Sequence, residues 1–169
     1  TKDWGTNASG LNHIYQDYLQ DCSFVASIIS INRVDPSLLL SRITPHCECD
    51  NYGVILTFNG CDRLVEIGNE LPILKSKSLF IKSLTNKELI WPAFLEKAYL
   101  KVFGHGYDSQ GSNFGIDTYM LTSWIPEFWK VGEILNYDEL FDQLVNSEVV
   151  VGLGTKSVSS GSKLLPNHD

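Results

Sequence analysis

One cysteine of this sequence stands where a reactive thiolate would be favoured. Cys22 lies at the start of an apolar run, Asp21 to Ile31, whose composition is typical of a helix buried on most sides. The N-terminus of a helix carries a partial positive charge that stabilises a thiolate. The pattern is compatible with a catalytic nucleophile, although a cysteine at the head of a buried helix is more often inert packing.

Catalysis by a thiol requires a base and hydrogen-bond donors as well as the sulfur. A histidine from another part of the chain would form a thiolate-imidazolium pair with Cys22 and would protonate the leaving amine. The backbone amide of Cys22 and the side-chain amide of Gln16, six positions earlier, could supply two donors to a tetrahedral intermediate. These residue types point to acyl transfer at a peptide carbonyl.

Length and composition limit the classes of protein to which the sequence can belong. Its 169 residues, 43% hydrophobic and 20% charged, are enough for one compact domain or two small lobes. A net charge of -7 repels phosphate backbones, so no nucleic-acid partner is expected. No apolar run reaches the ~18–20 residues of a transmembrane helix. Four clustered cysteines do not make a secreted disulfide scaffold, which favours a reducing, cytoplasmic compartment.

Three further helices are indicated by capping residues and periodicity. Asp35, followed by proline, predicts a cap for a short helix over Pro36 to Leu40. Strong helix formers run from Pro92 to Phe103 and stop at Gly104, so this segment predicts a helix with one apolar face. The segment from Tyr137 to Asn146 is amphipathic and predicts a helix as well.

Strands and loops are indicated by other patterns. Two β-rich runs, Val54 to Phe58 and Leu64 to Ile67, are connected through Asn59-Gly60, which is a strong hairpin signal. Val149 to Val151 has the composition of a strand. Gly104 to Gly115 is rich in glycine and polar residues and predicts a long functional loop.

Several segments resemble the calpain family of cysteine proteases. Gln16 to Ile28 resembles the nucleophile segment of that family, Gln-Gly-x-Leu-Gly-Asp-Cys-Trp followed by apolar residues. Trp91 to Tyr99, with the glycines and the Ile125-Pro126-Glu127 that follow, resembles the block Trp-x-Ala-Leu-Leu-Glu-Lys-Ala-Tyr and its glycine loop. Tyr52 to Pro72 is similar to the strand pair and Leu-Pro turn, and Leu164 to His168 resembles Leu-Val-Lys-Gly-His. The likeness runs in order through nearly the whole chain.

The resemblance assigns roles to residues of this sequence by position. It makes Cys22 the nucleophile, Gln16 the oxyanion donor and His168 the general acid and base. It also places three residues against the substrate: Gly111, Ser112 and Asn167. Gly111 would form main-chain hydrogen bonds with an extended peptide.

The same resemblance implies an α+β, papain-like fold of two lobes, with the active cleft between them. A helical lobe carrying the nucleophile would span residues 1–124, and residues 125–169 would begin a β-rich lobe carrying the histidine. Trp124 and Trp129 flank this boundary and are expected to pack there. Because Cys22 and His168 would lie on different lobes, activity would depend on lobe alignment.

Some positions depart from the family pattern. Ser23 replaces the tryptophan that follows the nucleophile, Ser112 replaces a glycine, and Asn167 replaces the glycine before the histidine. Calpains also orient the histidine with an asparagine further along, and the sequence ends at Asp169, so weak or no hydrolysis is expected from this chain alone. The alternative is a calpain-like interaction module that has lost its catalysis.

Two groups of residues have the types that bind metals. Glu96 is expected with Lys97 on the solvated side of its helix unless it holds an ion. It matches an acidic ligand of a calpain calcium site, yet His13 stands where that site has an aspartate. A hard cation prefers several oxygen ligands, so no cofactor is predicted and calcium is left open. Structural zinc sites favour wider cysteine spacing, which argues against zinc at the other group, His46, Cys47, Cys49 and Cys61.

Within the family, the sequence looks closer to the calcium-independent calpain-like proteases of the fungal ambient-pH response. The similarity lies in Asp-Cys-Ser at Cys22 and in Pro-Asn-His-Asp at His168. It implies limited proteolysis of a zinc-finger transcription factor by a cytoplasmic enzyme. It also implies recruitment to endosomal membranes by endosomal sorting proteins.

Overall fold

The computed structural model describes residues 14–16, 18–45, 51–75, 77–84, 89–104, 107, 111–133 and 136–155. This part of the chain mixes helices and strands, in agreement with the predicted α+β class. The helices are α1 (Cys22–Val34), α2 (Pro36–Ser41), α3 (Trp91–Phe103), α4 (Phe114–Thr122) and α5 (Tyr137–Val145), with one 3-10 turn at Val131–Glu133. The strands are β1 (Ile14–Tyr15), β2 (Ile43–Pro45), β3 (Asn51–Phe58), β4 (Cys61–Gly68), β5 (Ile73–Leu74), β6 (Lys77–Ser78) and β7 (Lys82–Ser83).

Helices α1 and α2 follow the sequence signals closely. The predicted helix from Cys22 is confirmed, and it continues three residues beyond Ile31. The Asp35 carboxylate accepts hydrogen bonds from the amides of Ser37 at 2.9 Å and Leu38 at 3.2 Å, so the predicted cap of α2 is confirmed.

The core forms where α1, α3 and the central strand β3 meet. Phe24 of α1 stacks on Tyr99 of α3, with ring centroids 4.2 Å apart, and Leu56 of β3 is fully buried in the same cluster. Helix α3 was expected to bury one face and expose Glu96 and Lys97. That expectation is wrong for Glu96, which is 1% exposed. The reason is that α3 packs on β3 and β4 and is also bonded through Glu96 to the backbone of the 79–81 segment.

The hairpin predicted at Asn59-Gly60 is confirmed. Strands β3 and β4 pair antiparallel from Asn51 opposite Gly68 to Phe58 opposite Cys61. Asn59 and Gly60 both have positive φ, 53° and 78°, as a two-residue type I′ connection requires. Strand β2 pairs with the other edge of β3, which gives a three-stranded sheet in the order β2-β3-β4.

Helix α4 was not foreseen, and it shortens the predicted 104–115 loop. Asn113 caps the helix by accepting a hydrogen bond from the amide of Ile116 at 3.0 Å. Its buried positions include Asp117, Thr118 and Thr122, so the hydrophobic periodicity that identifies a helix in a sequence is missing. The antiparallel pairs β1-β7 and β5-β6 were also unforeseen, because two-residue strands carry no pattern.

The segment after α4 departs from prediction in two places. Val149 to Val151 is irregular and not a strand, since no strand of the described residues pairs with it. Trp124 and Trp129 do not pack at a boundary within this structure, where they are 39% and 61% exposed. The predicted helix α5 is confirmed, and Asn136 caps it by accepting from the amide of Glu139.

Candidate active site

Cys22 is the first residue of α1. The residue is partly exposed, whereas Asp21 before it and Ser23 after it are buried. The helix starts on the Asp21 carbonyl, which accepts hydrogen bonds from the amides of Phe24 at 2.9 Å and Val25 at 3.1 Å. The positive end of the α1 dipole therefore lies at the sulfur-bearing residue, which is the setting that favours a thiolate.

Gln16 directly follows β1, whose pairing with β7 joins Ile14 to Ser83 and Tyr15 to Lys82. Its side-chain amide donates a hydrogen bond to the Leu19 carbonyl, which closes the turn that leads into α1. A glutamine amide has two N–H donors, so this bond leaves a second one for an oxyanion. The oxyanion role of Gln16 stays a prediction.

The predicted substrate residues Gly111 and Ser112 lie immediately before α4. Gly111 has φ +79°, a backbone conformation that L side chains rarely adopt, and a methyl group built on it would lie 3.8 Å from the Gln20 carbonyl oxygen. Gly111 thus borders the loop that connects Gln16 to Cys22. The other two predicted site residues, Asn167 and His168, lie outside the described residues.

A pair of buried carboxyl groups lies directly behind the nucleophile. Asp21 does not cap α1 with its side chain, and it is fully buried with its carboxyl facing that of Glu96. Glu96 accepts a hydrogen bond from the Ile81 amide at 2.5 Å. The Asp21 carboxyl meets its own backbone amide and the Glu96 carboxyl, and neither of its oxygens has another hydrogen-bond partner among the described residues. A protonated Glu96 donates a hydrogen bond to it.

The electrostatics of the pair agree with a shared proton. Burial, followed by the charge of Asp21, raises the pKa of Glu96 well above its usual range. Burial also raises the pKa of Asp21, although the hydrogen bond from Glu96 opposes that shift. We therefore assign the proton to Glu96 and the negative charge to Asp21. No sequence signal marked Glu96 as buried, because its partner belongs to the distant nucleophile loop.

The described residues do not make a calcium site at Glu96. They bring together two carboxyl groups, those of Asp21 and Glu96, whereas calcium takes six to eight oxygen ligands. No group of three or more His, Cys, Asp or Glu side chains suited to a metal occurs in the described part of the chain. His13 lies outside the described residues, and the reaction proposed for this chain includes no metal.

Of the residues weighed as a zinc site, the structure describes Cys61 alone. Cys61 begins β4 next to the hairpin turn, where it is exposed and its Sγ lies 3.9 Å from the Phe58 carbonyl oxygen. His46, Cys47 and Cys49 lie outside the described residues. Cys61 is therefore an exposed thiol with which the reactivity of Cys22 can be compared.

A cavity of about 360 Å³ lies between β4 and α3, away from Cys22. Lys97 and Lys101 line it, and they donate hydrogen bonds to the carbonyls of Gly68 at 2.8 Å and Glu66 at 2.6 Å. Because both ammonium groups already bind the hairpin and so hold α3 against it, we assign no substrate to this cavity.

Over the described ranges, no helix has the length and apolar character needed to cross a bilayer.

Comparisons with known proteins agree with the likeness found in the sequence. The family model "Calpain family cysteine protease" matches residues 5–163. The calpain-like protease palB/RIM13 of Debaryomyces hansenii is 41% identical over 161 residues, which cover 94% of this chain and 21% of that protein. The corresponding protein of Candida albicans is 38% identical over 176 residues, covering 99% of this chain and 24% of that protein. Calpain-7 of Mus musculus is 41% identical over 126 residues, covering 68% of this chain and 15% of that protein.

These matches confirm the predicted family and its fungal calpain-like branch. The chain spans about a fifth to a quarter of the length of the fungal relatives that it matches. The family model, in contrast, covers nearly all of the chain. The chain belongs to the calpain family of cysteine proteases.

Proposed function

We propose that this chain carries the catalytic centre of a calpain-like intracellular cysteine endopeptidase. The observation that supports the proposal most directly is the position of Cys22, which is partly exposed at the first residue of α1 between buried neighbours. A thiol that only fills the core would have no need of the helix terminus or of solvent access.

In the proposed reaction, the Cys22 thiolate attacks the carbonyl carbon of a peptide bond and the carbonyl electrons move to oxygen. The Cys22 amide and the second N–H of Gln16 donate to that oxyanion. The intermediate collapses to a thioester as the amine leaves with a proton from the His168 imidazolium. Water, deprotonated by His168, then hydrolyses the thioester. Gly111, Ser112 and Asn167 would contact the substrate near the cleavage point.

We infer the two-lobed, papain-like arrangement from family membership. The boundary would lie near residue 124, with the nucleophile lobe in residues 1–124 and the histidine lobe beginning in residues 125–169. The backbone supports a boundary there, because α4 ends at Ser123 in the left-handed region and the chain continues without regular structure to Lys130.

The biological role would be limited proteolysis of a protein substrate. The resemblance to the fungal ambient-pH branch supports cleavage of a transcription factor in alkaline-pH signalling, in the cytoplasm or on endosomal membranes with endosomal sorting proteins. These roles are proposed for a protein of the length of the fungal relatives, of which the chain spans about a fifth to a quarter.

The reactivity of the four cysteines tests the proposal. We expect iodoacetamide to alkylate Cys22 faster than Cys47, Cys49 and Cys61 in the full-length parent, as measured by peptide mass mapping. Cys22→Ala should abolish peptide cleavage and leave the fold intact. If Cys22 reacts no faster than the exposed thiol of Cys61, the activated nucleophile is not there and the catalytically dead interaction module is the better conclusion.

The oxyanion role of Gln16 has its own test. Gln16→Ala should lower turnover by roughly 10²–10³ while Cys22 still alkylates, because loss of one oxyanion donor affects the intermediate and not the thiol. Gln20→Ala is the matched control, since this glutamine lies in the same loop with its side chain exposed. Equal turnover in the two variants would remove Gln16 from the mechanism.

A further inference from the structure

Polar side chains form a buried seam between α1 and α4. We define the α1–α4 seam as Ser23 and Ser27 of α1 with Asp117 and Thr118 of α4. The Ser23 hydroxyl donates to the Asp117 carboxylate at 2.5 Å, and the Thr118 hydroxyl donates to Ser27 Oγ at 3.1 Å. The two serines lie four residues apart and so on one face of α1. Ser23 is 1% exposed and Asp117 is fully buried.

The Ser23–Asp117 hydrogen bond acts on the turn that carries the nucleophile. The bond is short, with both of its groups buried and shielded from water. Successive residues of a helix are rotated by about 100°, so a fixed direction for Ser23 sets the direction in which Cys22 points. Ser27 donates to the Phe114 carbonyl at 3.2 Å one turn later, which opposes rotation of α1 about its axis.

Helix α4 is itself fixed at the same end. Asn113 caps it, and Gly111 just before the cap borders the Gln20 carbonyl of the nucleophile loop. A methyl group on Gly115 would lie 2.6 Å from the Phe128 ring, so residues near 128 pack on the first turn of α4. Helix α4, which carries Asp117, is thus held at its N-terminal end by contacts of Gly111 with the nucleophile loop and by residues near 128.

We propose that Asp117 is a positioning residue for the nucleophile: its carboxylate, through the Ser23 hydroxyl, holds the first turn of α1 in the orientation that presents Cys22. The inference rests on the proposed function, because it presupposes that Cys22 is the nucleophile. It gives Ser23, which stands where the calpain pattern has tryptophan, a role in the site.

The test measures Cys22 alkylation by iodoacetamide from pH 5 to 10 in the full chain, with Cys61 as the internal reference. We expect Ser23→Ala and Asp117→Leu each to slow Cys22 about tenfold at pH 7, the effect of one lost buried hydrogen bond. Both should leave the rate of Cys61 unchanged. Asp117→Asn keeps an acceptor oxygen and should stay within about threefold of the wild type.

Thr122→Val is the matched control. It removes another buried hydroxyl of α4, one that donates to the Thr118 carbonyl at 2.6 Å and does not reach α1. It should lower stability without changing the alkylation rate of Cys22. The double variant Ser23→Ala/Asp117→Leu should be no slower than the slower single variant, because both remove the same bond.

The outcomes separate two failures. If Cys22 reacts faster than Cys61 but its rate in Ser23→Ala and Asp117→Leu equals that in Thr122→Val, the positioning role is wrong. It is also wrong if the two single effects add, or if Asp117→Asn is as slow as Asp117→Leu. If wild-type Cys22 reacts no faster than Cys61, the proposed function fails and the positioning role fails with it.

Discussion

At the scale of single residues, the most consequential finding is the carboxyl pair behind the nucleophile. Asp21 and Glu96 are both buried, and burial together with the charge of Asp21 raises the pKa of Glu96, which favours its protonated form. Two negative charges so close together, and away from water, repel each other strongly. The folded state therefore binds a proton that the unfolded chain releases at mildly acidic pH.

We predict that this pair makes stability fall as pH rises. Above about pH 4.5, the ordinary value for glutamate, the unfolded chain loses the Glu96 proton while the folded chain keeps it. The free energy of unfolding then decreases by about 1.4 kcal/mol for each pH unit up to the raised pKa. Glu96→Gln mimics the protonated side chain, since its amide donates to Asp21 and its oxygen accepts from Ile81. It should remove most of that decrease.

Urea denaturation at pH 5 and pH 8 measures the effect. Glu148→Gln is the control, because it makes the same change of charge at an exposed position. The control should keep the pH dependence of the wild type. An equal decrease between the two pH values in wild type and Glu96→Gln would show that Glu96 is ionised in the fold.

At the scale of elements, prediction succeeded where the signal was local. Asp35 before a proline and Asn59-Gly60 between β-rich runs specify a cap and a turn through the conformations of a few neighbouring residues. The start of α1 at Cys22 was likewise predicted from the residues next to it in the sequence. Helix α4 was missed because its buried residues mix polar with apolar side chains, and the partners of the polar ones, such as Ser23, are far away in sequence.

The same distinction applies to the candidate site. Cys22 and Gln16 lie within one short segment, and Gly111 borders the Gln20 carbonyl of that segment. The burial of Glu96 and the contact of Asp117 with Ser23 depend on tertiary packing over long sequence separations. The hydrophobic periodicity of one segment does not indicate which distant residues it will contact.

The hairpin turn provides a prediction at this scale. Gly60 has φ +78° with no atom within 4 Å of the place where a methyl group would go, so Gly60→Ala tests backbone conformation alone. It should destabilise the fold by about 1–2 kcal/mol, the cost of a left-handed conformation for an L residue. Gly132→Ala is the control, because the space there is also open and φ is not positive. Equal free energies of unfolding for the two variants would mean that the turn is not of type I′.

At the scale of the whole molecule, the segment after α4 is held by few contacts. Ile125 and Leu153 are 87% and 75% exposed, so this segment contributes little to the core. Its start is fixed at Ser123, whose hydroxyl lies 2.7 Å from that of Thr57 and 3.3 Å from the Asp62 carboxylate. Arg42 pairs with the same carboxylate at 3.2 Å, which joins β4 to the turn after α2.

A further attachment is at the first turn of α4, where Phe114 packs on Gly152. A methyl group on Gly152 would overlap the inner atoms of the Phe114 ring, which cannot move away without moving the helix. Gly152→Ala should therefore cost about 1–3 kcal/mol of stability by overpacking. In a Phe114→Ala background the ring is gone, and Gly152→Ala should cost little stability.

Thermal unfolding of the two single variants and the double variant measures this coupling, with Gly132→Ala as the control for an uncrowded glycine. If Gly152→Ala costs the same with and without the ring, residues near 152 are not attached to α4 through this contact.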